Sequence, residues 1–258
     1  MRTSKTVKKL RAGKTVRMCA LGHFIPGFIR HAADKGFDCI WLDLEHRAMA
    51  SREVQMLLAY CHLADIDCMV RSPTREKTKL YRYLEDGASG LLIPLVTTAQ
   101  EARELVQCVK FPPLGDRGLD GAGLDSDFIL QGGAEFPESA NRETFLVVQI
   151  ESPEAVENAD EIAAVDGIDG MFIGPADLGL RIKHAGPGAP TMEEATARVA
   201  QAAANHGKAW GQPVFSPEHM QSLHTQGARI LNNGGDFHSF MQMMENSSRQ
   251  FDEICGEE

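Results

Sequence analysis

Short apolar runs alternate with helix-like segments eight times along this chain, and that alternation restricts the fold more than any single motif does. The runs are VRMCALG (16–22), CIWLDL (39–44), CMVRS (68–72), GLLIPLV (90–96), FLVVQI (145–150), GMFIG (170–174), KAWGQPVF (208–215) and ARILNN (228–233). Each has strand length, and FLVVQI is continuous, apolar and β-branched, as a strand buried on both faces must be. The segments between them carry helix starts. Ser152-Pro153 and Ser216-Pro217 combine a side-chain acceptor with a proline whose missing N–H the first turn does not use, and Thr98 with Glu101 and Thr191 with Glu194 have capping-box spacing. Strict alternation of this kind predicts an α/β fold, a (β/α)8 TIM barrel made as one domain from residues 1–258. A short amphipathic helix within 1–15, with Val7 and Leu10 inward, is expected to close the bottom, and a C-terminal helix to occupy 236–258. A doubly wound open sheet is the alternative, but no glycine fingerprint follows the first strand and no P-loop is present.

Charge and cysteine content narrow the partners. A net charge of −10 over 258 residues argues against nucleic acid or a membrane surface. No apolar run is long enough to span a bilayer, and the basic start MRTSKTVKKLRAGKTVR is not followed by the apolar stretch of a signal peptide. The six cysteines have no paired spacing and mostly lie in apolar runs, which suits buried, reduced thiols in a cytoplasmic protein. Small molecules remain as the expected partners.

In a barrel the strand carboxyl ends bring one ring of polar side chains together: Asp43, Glu45 and His46 after the second strand, Arg71 after the third, Gln149 and Glu151 after the fifth, and Asp177 after the sixth. Period-two alternation lets Asp43 and Glu45 point the same way, and likewise Gln149 and Glu151. Singly, each has a plain reading: Glu151 and Asp177 as acids favoured at helix starts, His46 as a solvated loop histidine, Arg71 as partner to any of many carboxylates. Their convergence on one end of one barrel is what argues for chemistry. Two oxygen ligands on adjacent strands, without a cysteine or histidine cluster, suit a hard divalent ion, Mg²⁺ or Mn²⁺ with Co²⁺ a further option. Positions would remain for water and for the carboxylate and keto oxygen of a 2-oxo acid. Such an ion makes the C3 proton removable by stabilising the enolate, Arg71 is placed to donate to the same oxygen, and His46, oriented by Asp43, is the natural acid/base. The connection from 111 to 142 is too long for a plain loop and is expected to lie over the mouth and shape the substrate pocket.

At these residues the chain resembles the HpcH/HpaI aldolase family, the metal-dependent class II pyruvate aldolases. The resemblance rests on WLDLEH (41–46), VRSP (70–73), DGASGLLIPLV (86–96), FPPLGDRG (111–118), VQIESPEAVEN (148–158) and DGIDGMFIGPADL (166–178). It implies cleavage of a 4-hydroxy-2-oxo acid to pyruvate and an aldehyde, with Glu151 and Asp177 holding the metal. It also implies His46 with Asp43 as the acid/base dyad, Arg71 as the enolate-stabilising donor, and Gln149 with the backbone of Gly174, Pro175 and Ala176 on the pyruvyl part. Family members are similar in forming homo-oligomers, hexamers built as trimers of dimers that exchange a C-terminal helix. Phe237, Phe240, Met241, Met244, Phe251 and Ile254 give the tail apolar surface for that, although an intrachain barrel helix accounts equally well for some of them. The chain departs from the family pattern after Gly118, where LDGAGLDSDFILQGG brings Asp120, Asp125 and Asp127, and at NNGGD (232–236). Both departures bear on the acceptor aldehyde. The alternatives are an oxaloacetate decarboxylase or macrophomate synthase-like enzyme using the same enolate, a phosphate-binding isomerase barrel with Gly234-Gly235 as the phosphate nest, and a catalytically silent barrel.

Overall fold

Alternation along the strands sorts side chains between the barrel axis and the helical layer. In the computed structural model, which describes residues 1–256, eight parallel strands close in sequence order, β1 returning to β8. They are β1 (Val16–Leu21), β2 (Cys39–Asp43), β3 (Asp67–Arg71), β4 (Gly90–Ile93), β5 (Phe145–Ile150), β6 (Gly170–Ile173), β7 (Ala209–Pro213) and β8 (Ile230–Gly235). The predicted (β/α)8 barrel is therefore the observed fold. Val16, Met18, Cys39, Trp41, Met69, Leu92, Phe145, Val147, Phe172 and Ile230 fill the axis, while alternate residues such as Ile40, Leu42, Val70, Leu146 and Met171 join the outer core beneath the helices. Apolar residues on both faces are what a parallel sheet wrapped in helices requires.

The helices are α1 (Lys5–Arg11), α2 (Pro26–Asp34), α3 (Ser51–Leu63), α4 (Lys77–Glu85), α5 (Ala99–Val109), α6 (Phe136–Glu143), α7 (Pro153–Glu157), α8 (Ala159–Ala163), α9 (Pro175–His184), α10 (Met192–Asn205), α11 (Pro217–Thr225) and α12 (Asp236–Cys255). The predicted caps form: Ser152 and Ser216 accept first-turn N–H groups, and Thr98/Glu101 and Thr191/Glu194 are reciprocal capping boxes. The segment that starts at Ser152 forms two short helices, α7 and α8. Asn158 interrupts it, with its side-chain amide bonded to the carbonyl of Thr97 at 2.8 Å. Of the tail predicted over 236–258, the helix covers 236 to 255, and residues 257–258 lie outside the described residues.

The bottom closes as expected. Val7 is buried and Leu10 packs beside it against the axial core. Asp67, at the start of β3, is fully buried and accepts Ser4 Oγ and Thr6 N–H at 2.7 Å and Ser89 Oγ at 3.2 Å, with Arg2 completing its shell.

The 111–142 connection does not lie over the mouth. It joins the end of α5 to the start of β5, and such helix-to-strand links sit at the opposite end of a barrel from the strand carboxyl ends. A 3₁₀ turn at Leu124–Ser126 packs under Gly87, beyond α4, and the chain's amino terminus bonds Gln131. Arg117 and Asp125, both buried, pair at 2.6 Å to hold the connection in place.

Candidate active site

The parity of β5 that puts Phe145 and Val147 on the axis carries Gln149 and then Glu151 inward above them. Gln149 Nε2 donates to Glu151 Oε1 at 2.6 Å, and Glu151 Oε2 accepts the N–H of Leu95 at 3.0 Å. Leu95 reaches it from the loop after β4 with φ of +60°, a strained conformation for a leucine. Gly174, just beyond β6, supplies the room, since a Cβ there would stand 2.2 Å from Glu151 Oε1. Burial pushes the Glu151 carboxyl up to about 7; the Leu95 N–H opposes the rise, and the carboxylates of Glu45 and Asp177 add to it. Pro175 opens α9 and Ala176 and Asp177 continue its first turn. Asp177 pairs with Arg181 at 3.2 Å, and the same arginine donates to the backbone carbonyl of Glu151 at 2.7 Å, which ties the two candidate ligands together.

Across the barrel, Asp43 and Arg71 face each other in the register of β2 and β3. Arg71 Nε and Nη2 donate to Asp43 Oδ1 and Oδ2 at 2.9 and 2.8 Å, a fork matched to a carboxylate, and Nη1 lies 3.2 Å from Glu45. The guanidinium carbon sits 4.8 Å from the centre of the Trp41 ring, which in turn meets Phe172 edge-on. Burial alone would raise Asp43, but Arg71 and the N–H groups of His46 and Glu45 outweigh it and hold the carboxyl below its ordinary value.

The expected Asp43–His46 dyad is not formed. Asp43 takes the backbone N–H of His46 at 3.3 Å, whereas the imidazole lies 3.5 Å from Glu45 and is 55% exposed. A carboxylate placed in register opposite an arginine is occupied by the bidentate pair. Asp43 thus holds Arg71 rather than His46. Glu151, Gln149, Gly174, Asp43, Arg71 and Glu45 line the mouth, with Asp177 and His46 at its rim. Leu95, Arg181 and the Trp41 platform belong with them; the Asp177-to-Arg181 spacing was a readable signal, while a backbone N–H such as that of Leu95 leaves none. Among the described residues Gln149 Oε1 is buried without a hydrogen-bond partner, the mark of a group that meets something else.

A parallel barrel whose strand ends converge in this way places the protein in the class of (β/α)8-barrel enzymes that work at the carboxyl end. Within that class the chain belongs to the HpcH/HpaI aldolase/citrate lyase family, whose model matches residues 18–243. It is 33% identical over 246 residues, 93% of this chain and 92% of the relative, to the hydroxypyruvate/pyruvate aldolase of Roseovarius nubinhibens. The crystal structure of the HpcH/HpaI aldolase from Desulfitobacterium hafniense DCB-2 matches with a TM-score of 0.89 at 33% identity, covering 96% of both chains. Macrophomate synthase matches at 0.78 and 26% identity, over 96% of this chain and 90% of that one.

Proposed function

We propose that this protein is a divalent-metal-dependent aldolase, a carbon–carbon lyase that reversibly cleaves a 4-hydroxy-2-oxo acid into an aldehyde and pyruvate or hydroxypyruvate. The observation that carries this reading is Arg71, held by Asp43 and Glu45 and seated on Trp41, with Glu151 facing the same mouth. A donor fixed in this way needs no reorganisation when charge develops on a substrate oxygen, and loss of one such donor typically costs about 10²–10³ in rate.

The residues present suit a cation. The Glu151 carboxyl is raised first by burial and then by the carboxylates of Glu45 and Asp177, and a bound cation would offset both. Glu151 and Asp177 would hold a Mg²⁺ or Mn²⁺ ion, which when bound supplies Lewis-acid stabilisation of the enolate. Among the described residues no three His, Cys, Asp or Glu side chains gather closely enough to hold a metal by themselves, in keeping with an ion that shares its shell with water and substrate. In the chain's own part of the reaction, the first-turn N–H groups of α9 at Ala176 and Asp177 face the substrate carboxylate, and Gln149 steadies the pyruvyl oxygens. Arg71 donates to the enolate oxygen, and His46, next to Glu45, moves the proton of the aldol hydroxyl.

The test is hydrogen–deuterium exchange at the methyl group of pyruvate in D₂O, read by NMR after chelation and again after adding Mg²⁺ or Mn²⁺. Exchange should require the metal, and Glu151→Ala and Asp177→Ala should each lower it about 10²-fold or more with far-UV circular dichroism intact. No exchange with any metal, or full exchange by chelated Glu151→Ala, would overturn the assignment. The likeness to macrophomate synthase favours one second reading, decarboxylation of oxaloacetate through the same enolate, recognised by carbon dioxide release without an aldehyde. The reading also includes a homo-oligomer, a hexamer of paired subunits seated through α12. No helix among the described residues is long and apolar enough to cross a membrane.

A further inference from the structure

The mouth holds a second fixed imidazole that no step above uses. His23 follows β1 and Asp236 follows β8, and these two strands are neighbours where the barrel closes. Asp236, almost fully buried, accepts the N–H of Gly22 at 3.0 Å and of His23 at 2.9 Å, and its Oδ2 lies 2.7 Å from His23 Nδ1. A carboxylate oxygen only accepts, so Nδ1 carries a proton towards Asp236, and Nε2 is the ring nitrogen left to meet a bound molecule. Among the described residues nothing bonds Nε2. The ring is also fixed in plane, parallel to Phe237 within 5° and tilted against Phe240, with 45% of the side chain open to solvent.

Arg47 links this corner to the candidate acid/base. Its guanidinium lies 5.4 Å from the Phe237 ring centre, its Nη1 donates to the carbonyl of His46 at 2.8 Å, and its stem is 3.1 Å from where a Cβ on Gly22 would be. His23 and His46 thus occupy adjacent corners of one rim. Asn232, brought inward on β8 by the parity of Ile230 and set opposite Met18 of β1, is buried with its Oδ1 unpartnered among the described residues, deeper on the same side of the barrel. This sector lies across the barrel from β5 and Glu151, where a substrate held at Glu151 and Arg71 would extend its far end.

We propose that His23 is a specificity-determining contact on the acceptor side, where Nε2 exchanges hydrogen bonds with the hydroxyl groups of a hydroxylated aldehyde. A polar ring nitrogen left open at this corner favours hydroxyaldehydes over alkyl aldehydes of similar size. This inference rests on the aldol reading, and its test separates the two. Pyruvate addition is measured with glycolaldehyde and with propanal for the unaltered protein, His23→Ala and His23→Gln. The ratio of kcat/KM for glycolaldehyde to that for propanal should fall about tenfold in His23→Ala, the effect of one hydrogen bond, and recover in part in His23→Gln, which restores an acceptor. A ratio that stays constant, including an equal fall on both aldehydes, would overturn the assignment. Absence of deuterium exchange into pyruvate by the unaltered protein would instead remove the aldol reading, and this inference with it.

Discussion

Replacing Gly174 with alanine would put a methyl carbon 2.2 Å from Glu151 Oε1 and 2.7 Å from Gln149 Nε2, so the side chains would have to give way. Displacement of about 1 Å at a reacting centre typically costs roughly 10² in rate. Gly174→Ala should therefore lower metal-dependent exchange about 10²-fold with little change in melting temperature, and exchange at the unaltered rate would show that Glu151 is not held as described. The residues of this half of the site were legible because strand parity alone aims Gln149 and Glu151 inward. In the other half, strand-end position brings Asp43, Glu45 and Arg71 together as expected from the sequence, but the pairing differs. Asp43 and His46 are close in sequence, whereas Asp43 and Arg71 are opposed only through the β2–β3 register, which one-dimensional spacing does not display.

At the scale of elements, the caps that were readable have measurable consequences. Glu101 closes the start of α5, accepting from Thr97 and Thr98 N–H groups and from Arg75. Burial alone would raise its pKa, but the Thr97 N–H, the Arg75 guanidinium and the Thr97 hydroxyl outweigh it and bring the carboxyl to about 2 from an ordinary 4.5. A depressed carboxylate stabilises the fold fully above its unfolded value and loses that contribution as pH falls toward the folded one. Glu101→Gln should thus lower the melting temperature at pH 7 by roughly 2–4 °C, the effect of about 1 kcal/mol, and the difference from the unaltered protein should shrink between pH 5 and 2. A pH-independent difference would mean that the amide loses only packing. The eight strands were visible because doubly buried strands must be apolar throughout. The position of the 111–142 connection was not, because length marks a connection as unusual without telling which end of a barrel it covers.

For the whole molecule, α12 is the element with the least explained surface. Phe237, Phe240, Met241, Met244, Phe251 and Ile254 are all exposed along it, more apolar area than a solvated helix normally carries. Replacing Phe251 and Ile254 together with aspartate should shift the protein to smaller species in sedimentation velocity while a monomer-sized barrel stays folded; an unchanged sedimentation coefficient would show that this end of the helix seats no second copy. Closure of the barrel has a consequence of another kind. β1 pairs on one side with β2, its neighbour in sequence, and on the other with β8, more than two hundred residues later. During synthesis the first strand therefore keeps an open edge, and the corner built from His23 and Asp236 does not exist, until the chain has been made as far as residue 236.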